Sequence, residues 1–144
     1  EEKTLPRPVR RAGAGTVLLV DDEAVLRSTG KRLLARLGYR VLLAGDGAAA
    51  LQAFQQYAGE VDLVLLDLGM PVMDGGECFR RLKQLNPDVR VLISSGYSES
   101  EKVEALMAEG VLGFLHKPFS AEHLSRAVSR ALGTLPPNPP GGSG

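Results

Sequence analysis

Four short, largely apolar runs in this chain stop at polar residues. Thr16-Val-Leu-Leu-Val20 precedes Asp21 and Asp22, Leu63-Val-Leu-Leu66 precedes Asp67, Val91-Leu-Ile-Ser94 precedes Ser95, and Gly113-Phe-Leu-His116 precedes Lys117. Runs of this length, rich in Val, Leu and Ile and without alternation, have the pattern of strands buried on both faces. In an open parallel α/β sheet the binding crevice lies just outside the carboxyl ends of the strands. Three carboxylates, a hydroxyl and an ammonium should therefore converge there, a set suited to a divalent cation and a phosphoryl group.

The intervening segments carry helical spacing. Leu26, Leu33, Leu34 and Leu37 mark a first helix that Gly38 can end. Val41-Leu-Leu43 is a further strand and leads to Asp46, a candidate cap for a second helix with Ala50, Leu51, Phe54 and Tyr57 on its apolar stripe. Cys78, Phe79, Leu82 and Leu85 define a third helix. Val103, Leu106 and Met107 define a fourth that Gly110 can close, and Leu124, Ala127, Val128, Ala131 and Leu132 a fifth. Five strands alternating with five helices require crossover connections and a parallel sheet covered on both sides.

A length of 144 residues suits one domain. Residues 1 to 14, with Pro6, Pro8 and Gly13 among basic side chains, read as a flexible linker, and residues 134 to 144 as a flexible Pro/Gly-rich tail. The folded unit is expected over 15–133. Seventeen basic against seventeen acidic residues leave no net field for nucleic acid or an anionic membrane. One cysteine excludes an internal disulfide framework, and no apolar run approaches the roughly 20 residues that span a bilayer. With no signal-peptide character at Glu1-Glu-Lys-Thr4, the expected localisation is cytoplasmic.

Adjacent carboxylates such as Asp21 and Asp22 repel unless a cation or proton offsets their charge. Mg2+, which prefers oxygen ligands and is held by one or two carboxylates plus phosphate oxygens, is the expected cofactor, with Asp67 completing the set. A carboxylate can itself act as nucleophile and form an aspartyl-phosphate, with a lysine neutralising the developing charge. Lys117 is the candidate for that charge, and Ser95 can donate a hydrogen bond to a phosphoryl oxygen.

The segments Val20-Asp-Asp-Glu23, Leu66-Asp-Leu-Gly-Met-Pro-Val-Met-Asp-Gly75, Ser94-Ser-Gly-Tyr97 and His116-Lys-Pro-Phe119 resemble, in order and spacing, the signature of response-regulator receiver domains. The resemblance covers roughly residues 15 to 133. It implies a flavodoxin-like, doubly wound five-stranded parallel sheet of order 2-1-3-4-5 with five helices. Asp67 is then the phosphoacceptor. Asp22, assisted by Asp21, would hold Mg2+ together with Asp67 and the backbone carbonyl of Gly69. Lys117 would pair with the phosphoryl group, and Ser95 and Phe114 would be the switch pair. Gly69 and Tyr97 fall at family positions that border the site and influence hydrolysis. The implied partner is a histidine kinase or phosphotransfer domain, whose phosphohistidine supplies the group; self-catalysed transfer and dephosphorylation would follow.

Gly13-Ala-Gly-Thr-Val-Leu-Leu-Val-Asp-Asp-Glu23 further resembles receivers attached to hybrid sensor histidine kinases. A free-standing single-domain regulator is the alternative. A phosphatase of the haloacid dehalogenase type also uses an aspartyl-phosphate, but that family wants a second acid two residues after the nucleophile, where Gly69 stands. A pseudo-receiver that only binds partners fits poorly with the acidic pair, Asp67 and Lys117. Cys78 reads as a buried structural thiol, and His116 and His123 lack partners at metal-ligand spacing.

Overall fold

The computed structural model describes residues 14–96 and 100–133, apart from the side chain of Ser100. Tyr97, most of the N-terminal linker and all of the C-terminal tail lie outside the described residues. In chain order the elements are β1 (Thr16–Val20), α1 (Ala24–Arg36), β2 (Arg40–Ala44), α2 (Gly47–Gln56), β3 (Leu63–Asp67), α3 (Gly75–Leu85), β4 (Val91–Ser95), α4 (Ser100–Glu109), β5 (Gly113–His116) and α5 (Ala121–Leu132). All strand pairs are parallel and the order is β2-β1-β3-β4-β5, as expected from the sequence.

Side chains alternate across a strand, so each strand feeds two cores. Leu18, Val20, Val64, Leu66, Val91 and Ile93 pack with Phe54, Phe79, Leu82 and Leu106 of α2, α3 and α4. Val17, Leu19, Leu63, Leu65, Leu92 and Leu115 pack with Leu34 of α1 and Leu124 and Val128 of α5. Burial on both faces holds for β1, β3 and β4, every residue of which is buried. It does not hold for β5, an edge strand where only Leu115 is buried. Phe114 and His116 are exposed on the sheet face opposite to that of Leu115 and meet edge to face at 5.4 Å. The second edge, β2, is likewise only partly covered.

Local chemistry sets the helix ends. Asp46, Asp74 and Ser120 each cap a helix by accepting a hydrogen bond from the amide three residues on. Gly38 and Gly110 take the left-handed conformation (φ 100° and 116°) just past α1 and α4, which a side chain would resist. Three residues of the helical stripes, Leu26, Leu85 and Met107, are exposed instead of buried, because the apolar face of each helix is wider than its contact with the sheet. Cys78 is buried, and desolvation pushes its thiol up to about 12, so it serves packing and not reactivity.

Candidate functional site

Strand register brings the site together. Val20 lies level with Leu66, so the next residues, Asp21 and Asp67, end their strands side by side; Asp67 in turn pairs with Ser94 and Ser95 with His116. β1 sits between β2 and β3, so successive crossovers leave it in opposite directions and open a crevice at its carboxyl end. Oxygens of Asp21, Asp22 and Asp67 lie there within 4.8 Å of one another. Asp21 and Asp67 are buried and Asp22 is exposed, so the cluster has a floor and an open side.

Lys117 reaches over from the end of β5. Its Nζ lies 2.9 Å from Asp21 Oδ2 and 3.1 Å from Asp67 Oδ1. Burial acts to lower the lysine pKa, but the hydrogen bond to Asp21 and the charges of Asp67 and Asp21 outweigh it, and the ammonium is held. Asp67 behaves differently. Burial raises its carboxyl to about 6, the Asp21 charge adding to the rise, while Lys117 and the Gly69 amide act against it. That amide donates to Asp67 Oδ1 at 3.2 Å. Oxygen-only donors, excess negative charge and an open side fit a hard cation such as Mg2+, which would relieve the repulsion that burial leaves uncompensated.

The loop after Asp67 is shaped by two backbone constraints. A Cβ on Gly75 would come within 2.6 Å of the Asp67 carbonyl oxygen and 2.7 Å of Leu68 Cα, so only glycine lets α3 start this close to β3. Val72 has φ 68° and a fully exposed side chain, a left-handed conformation that a β-branched residue adopts at a cost. Gly75 belongs to a recognisable motif, whereas nothing in the sequence signals the strain at Val72.

Asp21, Asp22, Asp67 and Lys117 are thus brought together, and Gly69 adjoins them through its amide. Ser95 lies one residue beyond the level of Asp67 on the adjacent strand; its hydroxyl is buried and makes no hydrogen bond among the described residues. Phe114 sits on β5 opposite Ile93, on the same face as Ser95, with its ring 43% exposed. Sequence reasoning missed Arg27, whose Nη1 donates to the Asp21 carbonyl at 2.7 Å. No helix among the described residues is long and apolar enough to cross a membrane.

Residues 17–129 match the family model of the response regulator receiver domain. The sensor kinase CckA of Brucella abortus is 39% identical over 132 residues, which is 92% of this chain and 14% of that kinase. The chemotaxis protein CheY of Bacillus subtilis is 31% identical over 120 residues, covering 83% of this chain and 98% of that protein. Among solved structures, a response regulator receiver domain protein from Clostridium thermocellum superposes with a TM-score of 0.80 at 30% identity, over 83% of this chain and 94% of the other.

Proposed function

The chain belongs to the response regulator receiver domain family of two-component signalling, and from that premise we propose that Asp67 is its phosphoacceptor. The convergence of Asp21, Asp22, Asp67 and Lys117 at adjoining strand ends is the observation that carries the reading. An Asp67 carboxylate oxygen attacks the phosphorus of a phosphohistidine; the P–O bond forms as the P–N bond breaks, and the imidazole leaves with the electron pair. Lys117, already within 3.1 Å of Asp67 Oδ1, neutralises charge on the transferred group. Mg2+ held by Asp21, Asp22, Asp67 and the Gly69 carbonyl would supply further neutralisation and orientation of the phosphoryl oxygens.

The Ser95 hydroxyl has no partner among the described residues and would gain one in a phosphoryl oxygen after transfer. Its movement frees space beside β4 into which the exposed Phe114 ring can turn, altering the surface of α4, β5 and α5. The donor partner is a histidine kinase or phosphotransfer domain. The similarity to CckA favours the receiver of a hybrid sensor kinase over a free-standing regulator. The dehalogenase-type phosphatase reading has no observation in its favour, since Gly69 leaves the second acid's position empty.

The test is transfer from a purified phosphohistidine-bearing domain. One phosphoryl group should move to this chain with Mg2+ present and essentially none with EDTA. Equal transfer in both conditions contradicts the metal assignment, and no transfer from any phosphohistidine donor contradicts the receiver chemistry.

A further inference from the structure

We propose that Arg27 is a positioning residue that sets the direction of the Asp22 carboxylate and thereby the affinity of the acidic cluster for Mg2+; the inference rests on the metal reading above. Asp21 is fixed on every side. Its amide donates to the Ala44 carbonyl at 3.2 Å, and its carboxylate pairs with Lys117 and accepts from the Glu23 amide at 2.9 Å. Asp22 has no such support: it is exposed, and no described residue donates a hydrogen bond to its carboxylate. The backbone that carries it therefore sets where its Cα–Cβ bond points, and with it the range its carboxylate can reach.

That backbone is the peptide unit between Asp21 and Asp22. The unit is planar, so fixing its oxygen fixes ψ of Asp21 and φ of Asp22 together. Arg27 fixes that oxygen with a 2.7 Å charge-assisted hydrogen bond to the Asp21 carbonyl. The arginine is itself anchored, its amide donating to the Glu23 carbonyl at 3.0 Å. Gly45, after β2, leaves room for the guanidinium; a Cβ there would stand 3.2 Å from Nη1. Without the guanidinium only the bond between the Glu23 amide and the Asp21 carboxylate restrains that peptide plane, and the Asp22 carboxylate would sample more directions away from Asp21 and Asp67.

Groups that orient metal ligands commonly change metal affinity by about 10- to 100-fold when removed. NMR titration of the full chain with Mg2+, following the Asp22 and Asp67 amides with no phosphoryl donor present, measures this directly. Arg27→Met keeps the aliphatic stem and removes the donors; it should weaken Mg2+ binding about 10-fold. Arg27→Lys retains a donor for the single carbonyl bond and should recover most of the loss, which a purely packing role would not produce. Unchanged Mg2+ affinity in Arg27→Met, or no recovery in Arg27→Lys, overturns the proposal. If Arg27→Met does not fold, Gly45→Ala, which crowds the guanidinium, should weaken binding in the same sense, and unchanged affinity there overturns it. A parent chain that shows no Mg2+-dependent shifts overturns the metal reading and this inference with it.

Discussion

Lys117 Nζ lies 3.1 Å from Asp67 Oδ1, yet the Asp67 carboxyl remains raised to about 6. The ammonium is shared with Asp21 and does not offset the cost of burying two neighbouring carboxylates. The site is thus left short of positive charge, which a bound divalent cation would supply.

This has a consequence for pH dependence. Because the folded pKa lies above the ordinary value of 3.8, the Asp67 contribution to stability is fully present below about 3.8 and is lost as pH rises towards about 6. Asp67→Asn removes that loss, so at neutral pH the variant should be more stable by on the order of 2 kcal/mol, the gap closing in acid. Denaturant unfolding across this pH range checks it; a gap that does not change with pH contradicts it. An NMR titration of the carboxyl should also show the Asp67 pKa falling when Mg2+ is added, since proton and metal compete.

Ser95→Ala should leave the unphosphorylated fold as stable as the parent or more so, by up to about 1 kcal/mol, because the buried hydroxyl has no partner among the described residues to lose. The same variant should accept the phosphoryl group on Asp67 but respond weakly elsewhere. With a beryllofluoride mimic bound, NMR shift changes over Glu101 to Met107 should shrink. Changes equal to those of the parent would sink the Ser95 relay.

Val72→Gly should raise the melting temperature. The side chain is fully exposed at φ 68°, so its removal loses no packing and relieves roughly 1 kcal/mol of left-handed strain, or about 2–4 °C. A lower melting temperature would show that Val72 contributes something its exposure does not reveal.

Much of this fold can be read from residue order. The apolar runs of β1, β3 and β4, the Asp46 cap and the glycines closing α1 and α4 each report on their own neighbourhood, and the structure agrees with them. Burial of β5 is less legible: Phe114 is an apolar residue in an apolar run, and only the sheet order makes its strand an edge. Leu26, Leu85 and Met107 fail for a related reason, since periodicity locates an apolar face but not how much of it the sheet covers. The acidic pair, Asp67 and Lys117 are legible because each ends a strand. Arg27 is not, because its function lies in one bond to a backbone carbonyl that no side-chain pattern encodes.

The central claim is that Asp67 accepts the phosphoryl group, and intact mass spectrometry after incubation with acetyl phosphate and Mg2+ tests it most directly. The parent chain should gain a single phosphoryl group, and Asp67→Asn should gain none under the same conditions. Labelling of Asp67→Asn as complete as that of the parent would place the acceptor elsewhere and contradict the account.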